Sequence, residues 1–148
     1  MAGKPESILA IGATLGEGPL WVSRDDALWF VDIKAHRIHR FDPYLAVVRS
    51  WTAPAQVGWI VPSSDSKFVV GLQTGLHRFD PAAPAFSLLH APESDRPGNR
   101  LNDATVDRAG RLWFGSMDDS EEANTGRFYR LHRGLCVDTG LPGVAITN

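Results

Sequence analysis

The sequence predicts an all-β chain made of repeated four-stranded units, the blades of a β-propeller, with about three blades present. Three observations predict it. Second strands starting at Leu28, Phe68 and Leu112 lie 40 and 44 residues apart, the period of a blade of four short strands. The pentapeptide His39-Arg-Phe-Asp-Pro43 recurs as His77-Arg-Phe-Asp-Pro81. No stretch of ten residues keeps a helical period. A β-sandwich also has many short strands, but the copied pentapeptide favours true repeats.

The lead-in holds Ser7–Ile11, a segment able to form a strand. Gly16-Glu-Gly-Pro-Leu-Trp21 opens the first blade, near 17–56. Ser23–Asp26 is a turn, Ala27–Ile33 is rich in strand formers, and Lys34-Ala35 is a tight connection. His36–Asp42 alternates like a half-buried strand. Pro43 closes it, because proline offers no N–H to a ladder, and Val47–Thr52 is the fourth strand. The second blade, near 57–98, repeats the order with Val57–Val61, the turn Pro62–Ser66, Lys67–Leu72, Leu76–Asp80 and Ala85–His90. The third, near 99–145, runs from Asn102-Asp103 into an extended Ala104–Val106. It turns at Asp107–Gly110, where Gly110 is free to take a positive φ. It continues through Arg111–Ser116, Gly126–His132 and Leu135–Asp138. Ile146-Thr-Asn148 reads as the opening of a fourth blade, near 146–148. Three blades do not close a ring, which takes at least about four. The expectation is the N-terminal half of a single propeller domain over 1–148, with bare sheet edges along which copies can self-associate.

Composition narrows the function classes. Charged residues make up 22% and hydrophobic residues 43%, with a net charge of -2. No basic field is present to gather nucleic acid or an anionic membrane. No apolar run reaches bilayer length, and Met-Ala-Gly-Lys-Pro-Glu lacks the core of a signal peptide. The single cysteine, Cys136, excludes an internal disulfide framework and reads as a small buried apolar residue. A cytoplasmic setting is expected. The absence of a Gly-x-Ser-x-Gly elbow argues against a serine esterase. The five histidines lack metal-ligand spacing and read as structural. Trp21, Trp29, Phe30, Trp113 and Phe114 read as inter-blade core.

In a propeller the innermost strands line the axis, so equivalent positions at their starts meet at one mouth. Here those positions are Glu17, Gly58-Trp59, Asn102 and Asn148. A carboxylate and two carboxamides converging this way suit one hard divalent cation such as Ca²⁺. Zn²⁺ is the second expectation, with Mn²⁺ or Mg²⁺ behind it. Trp59 faces the same expected mouth and is a candidate substrate contact.

Five motifs now carry a resemblance: Leu15-Gly-Glu-Gly-Pro-Leu-Trp21, Arg100-Leu-Asn-Asp103, Val106-Asp-Arg-Ala-Gly-Arg111, Trp113-Phe-Gly-Ser-Met-Asp118 and Gly143-Val-Ala-Ile-Thr-Asn148. In this order, over nearly the whole chain, they resemble the gluconolactonase/regucalcin (senescence marker protein) family. The resemblance implies a six-bladed propeller and metal-dependent hydrolysis of a small sugar lactone to the aldonic acid. It implies that Glu17 and Asn148 hold the metal and that Arg100 and Asn102 bind substrate hydroxyls. The family's third ligand, an Asp that also serves as general base, has no counterpart up to residue 148. No catalytic residue proper is therefore expected within the chain, which on this reading is incomplete as a catalyst. Asp103 is a weaker substrate candidate, equally readable as a turn cap. Asp118, Asp119, Glu121 and Glu122 read as a solvated loop, with a lid over the site as the minor reading. The competing readings are a non-catalytic calcium-binding propeller and an inactive fragment.

Overall fold

A computed structural model describes residues 4–148. Twelve short strands follow one another: β1 (Gly16–Val22), β2 (Ala27–Asp32), β3 (Arg37–Asp42), β4 (Val47–Thr52), β5 (Val57–Pro62), β6 (Phe68–Leu72), β7 (Gly75–Asp80), β8 (Ala85–His90), β9 (Asn99–Val106), β10 (Leu112–Asp118), β11 (Phe128–His132) and β12 (Leu135–Asp138). They form three antiparallel four-stranded sheets in simple order, β1 to β4, β5 to β8 and β9 to β12. A 3-10 turn, Ser23–Asp25, joins β1 to β2. Ser7–Ile11 forms no strand. It finds no ladder to join and lines a groove with Leu28, Phe30 and Phe41 instead.

The repeated turn chemistry explains the repeated hairpins. The Asp42 carboxylate accepts from the backbone N–H groups of Tyr44 and Leu45, both at 3.0 Å. Asp80 does the same for Ala82 at 3.0 Å. Asp107 accepts from the Ala109 and Arg111 N–H groups at 2.9 and 3.0 Å, while Gly110 takes φ 72°. Each aspartate replaces a ladder partner just where the chain must reverse.

Alternation along the strands then decides which side chains are buried. Between the first two sheets lie Trp29, Ile38, Phe68, Val70 and Phe79. Trp29 stacks on Trp51 at 5.2 Å and tilts onto Phe68 at 4.3 Å. Between the second and third sheets lie Trp59, Leu76, Leu101, Phe114 and Tyr129. Cys136 is half-buried at the margin of that cluster, and burial pushes its thiol pKa up. Of the five aromatics expected in the core, Trp29 and Phe114 are there. Trp21 is 47% exposed, and Phe30 and Trp113 are half-buried. Neighbouring residues of a strand point to opposite faces, and these three fall on sheet faces that meet no other sheet among the described residues. The guanidinium groups of Arg111 and Arg130 cover Trp113, each 5.7 Å from its ring. The innermost strands are neighbours: β5 packs against β1 and β2, and β9 packs against β5 and β6. Among the described residues no helix is long and apolar enough to cross a membrane.

Candidate functional site

Each innermost strand carries one extra residue near its start. In β1 the register slips between Glu17 and Leu20. In β5 it slips at Gly58, between Val57 and Trp59. In β9 the extra residue is Asn102, since Leu101 and Asp103 pair with the consecutive Ser116 and Gly115. A bulge bends its strand and re-aims the side chains beside it. The three bulges meet at one end of the molecule. Glu17, Gly18, Pro19, Gly58, Asn102, Asp103 and Asn148 line a single concavity of about 240 Å³ there. Gly58 belongs at its floor for a steric reason: a Cβ would run into the Leu101 carbonyl. Lack of a side chain is what lets β5 and β9 close.

The predicted residues divide on inspection. Glu17, Asn102, Asp103 and Asn148 come together on this wall. Asp103 also accepts from the Ala104 N–H at 2.7 Å. Arg100 is not on the lining. Its side chain is 4% exposed and sits behind Asn102, donating from Nη1 to Asn102 Oδ1 at 2.6 Å. Asn102 Nδ2 in turn donates to the Thr147 carbonyl at 2.6 Å, one residue before Asn148. Trp59 does not face the mouth. The bulge at Gly58 turns its ring into the seam between the second and third sheets, where it is 2% exposed. There it lies 5.9 Å from Phe114, over Gly71, where a Cβ would strike the indole.

Two carboxylates organise the surroundings: Asp119, which the sequence places in a solvated loop, and Glu93, which it does not single out. Asp119 does not stay in the solvated loop expected for it together with Asp118, Glu121 and Glu122, because three donors hold it. Its carboxylate accepts from Lys34 Nζ at 2.6 Å, Gln56 Nε2 at 2.8 Å and Arg100 Nε at 2.8 Å. Burial pushes its pKa up, but the hydrogen bonds from Lys34, Gln56 and Arg100 outweigh it and hold the carboxyl below the usual carboxylate range. Glu93, on the β8–β9 connection, is 7% exposed. It accepts from Ser116 Oγ at 2.6 Å, Tyr129 Oη at 2.8 Å and Asn99 Nδ2 at 3.0 Å. Burial and the bond to Glu93 push the Tyr129 pKa upward. This hub fastens the start of β9, and with it Arg100. Little local pattern marks either carboxylate: apart from Arg96 beside Glu93, the partners named lie 6 to 85 residues away.

The side chains on the concavity offer oxygen: the carboxylates of Glu17 and Asp103 and the carboxamide of Asn148. The Asn102 oxygen already accepts from Arg100. Oxygen donors fit a hard cation such as Ca²⁺ in kind; Zn²⁺ more often takes nitrogen and sulfur. Among the described residues no group of three or more His, Cys, Asp or Glu side chains is placed to hold an ion. The wall therefore offers oxygen donors without such a group.

Comparison with known proteins gives a consistent picture. The family described as SMP-30/Gluconolactonase/LRE-like region matches residues 15–148. An L-arabinolactonase from Azospirillum brasilense is 34% identical over 91% of this chain and 46% of its own length. The solved structure of a calcium-binding protein, regucalcin, from Agrobacterium tumefaciens is similar with a TM-score of 0.81 at 28% identity, covering 85% of this chain and 43% of its own. A luciferin-regenerating enzyme gives 0.83 at 28% identity, covering 92% and 48%. The chain spans about half the length of the curated relatives it matches.

Proposed function

We propose that this chain, which belongs to the SMP-30/gluconolactonase/LRE-like family, supplies part of the site for metal-dependent opening of a small sugar lactone to its aldonic acid, with a general base that none of its own residues provides. The observation that carries the reading is the meeting of Glu17, Asn102, Asp103 and Asn148 at one concavity. They come from three stretches far apart in sequence, brought together by bulged strands. In the reaction the acyl–oxygen bond of the ring breaks. Water oxygen adds to the carbonyl carbon, the ring oxygen leaves as a hydroxyl, and the acid releases a proton. Glu17 and Asn148 would hold the divalent ion, Ca²⁺ first by donor type; when bound, it polarises the carbonyl and stabilises the oxyanion. Asn102 binds a ring oxygen through the amide hydrogen that Thr147 leaves free. Asp103 accepts from a ring hydroxyl through the oxygen not used by Ala104.

The test is proton release from aldono-1,4- and 1,5-lactones with CaCl₂, with ZnCl₂ and with chelator. Hydrolysis that needs the metal and disappears in Glu17→Gln supports the reading. Calcium binding at Glu17 with no lactone opened, even when a protein of the relatives' full length that carries this chain is assayed, favours the second reading, a calcium-binding propeller without catalysis; activity only in the longer protein marks this chain as an inactive fragment. The calcium-binding regucalcin among the similar structures speaks for that alternative.

A further inference from the structure

We propose that a second copy of this chain covers the two open sheet faces, the third sheet of each copy packing on the first sheet of the other to close a ring of six. This assembly is independent of the lactonase reading. The chain exposes 8689 Å² of surface. A folded monomer of its 16.2 kDa exposes roughly 7,500 Å². Two copies that hid the excess, on the order of 1,200 Å² each, would bury an area typical of permanent dimers. The chain covers 43% and 48% of the two similar solved structures, so two copies supply about the length of one such protein.

The seam between the first two sheets shows why the open faces fit each other. There Trp29 packs on Phe68 at 4.3 Å, and Phe68 pairs with Phe79 across the β6–β7 ladder. The same parts recur on the open faces. Trp113 stands where Trp29 stands. Each pairs with an arginine of the next strand, Arg40 for Trp29 and Arg130 for Trp113. Each indole donates to an aspartate of the preceding turn, Asp25 at 3.0 Å and Asp107 at 2.9 Å. Leu28 and Phe41, also a ladder pair, stand where Phe68 and Phe79 stand. They line the groove on the open side of the first sheet. The third sheet therefore presents the kind of face that the first turns to the second, and the first presents its complement.

Charge agrees with this pairing. In the existing seam Arg40 shares a cleft with Ser66 and Ala82 of the second sheet. Asp26 precedes Leu28 by two residues, as Ser66 precedes Phe68, and Tyr44 follows Asp42 as Ala82 follows Asp80. Arg130 would so meet Asp26 and Tyr44 of the second copy. Its Nε is buried without a hydrogen-bond partner among the described residues, while Asp26 is exposed and Tyr44 is 80% exposed. A head-to-tail contact closes only if its rotation closes, and otherwise it grows a filament. Three sheets are half of a ring of six, so one two-fold axis suffices.

The experiment is analytical ultracentrifugation of the 148-residue chain over a concentration series. The expected species has twice the mass of 16.2 kDa, with nothing larger. Leu28→Glu on the first sheet and Trp113→Glu on the third should each give monomers, because either change damages both contacts of the ring. Mixed together, the two variants should form dimers again, since one of the two contacts then joins unaltered faces. Where circular dichroism shows a variant unfolded, Tyr44→Glu replaces Leu28→Glu and Arg130→Glu replaces Trp113→Glu. A monomeric wild type would overturn the proposal and leave the faces to the rest of a longer protein. A filament would overturn ring closure. A dimer that survives a change on either sheet uses one face twice and overturns the pairing of first sheet with third, as does a mixture that stays monomeric.

Discussion

Between the first two sheets an aromatic file runs from Trp29 through Trp51 and Phe79 to Phe86, with ring centroids 5.2, 5.7 and 4.8 Å apart. At the mouth, a polar file runs from Lys34 through Asp119, Arg100 and Asn102 to Thr147. Both files tie sheets together, but they do so by different physics. The aromatic seam is held by burial and dispersion, which have no direction and scale with area. Any ring of suitable size at those positions keeps most of it. The polar file is directional, and each group has one correct partner and one correct orientation. Burial can therefore carry stability at the seam while direction fixes geometry at the mouth, and the two should fail differently.

The largest loss should come from the seam. Trp29→Ala should cost about 3–5 kcal/mol through a cavity in the aromatic file, read as a fall in the urea midpoint at constant slope. A loss below about 1 kcal/mol would show that the file collapses freely and would weaken the contrast. Gly58→Ala tests where the two regions join. Its Cβ meets the Leu101 carbonyl, which is backbone and cannot rotate away. We expect about 1–3 kcal/mol together with loss of metal binding at the concavity.

Asp32 probes the polar side of stability at the end of β2. Burial raises its pKa, but backbone N–H groups of Leu15, Thr14 and Ala35, and the charge of His39, hold it below the ordinary value. A lowered folded-state pKa means the contribution is fully present above the unfolded value of about 4. It is lost as pH falls through the lower folded value. The wild-type urea midpoint should fall between pH 5 and pH 2 more steeply than that of Asp32→Asn. Parallel curves would assign the acid limb to other carboxylates. The smallest effect on stability belongs to Glu17→Gln. An exposed residue with no hydrogen bond or ion pair among the described residues should change the midpoint by less than about 0.5 kcal/mol, while calcium affinity measured by titration calorimetry drops. Glu17→Gln that binds calcium as the wild type does would remove Glu17 from the site.

Much of the fold was legible because its causes are local. Strand-forming runs and Asp-Pro punctuation act within a hairpin, and the period of 40 to 44 residues marks one four-stranded sheet after another. Even the meeting of Glu17, Asn102 and Asn148 followed from equivalence between repeats. The failures share a cause as well. Trp59 was placed at the mouth by counting positions, but an extra residue at Gly58 turns it into the seam. Trp21 looks like core by composition, yet it lies on a face that no other sheet covers among the described residues. The partner of Arg100 was not legible either, because Asp119 lies 19 residues on.

By itself, then, the sequence determined the strands, the turns that join them and the repeat that stacks them, since backbone propensity and alternation act between near neighbours. The tertiary structure alone decided which sheet faces meet and where the bulges aim their side chains. It alone decided which carboxylate neutralises which cation. Those depend on groups up to 85 residues apart, whose partnership exists only once three sheets have packed and water has been removed from between them.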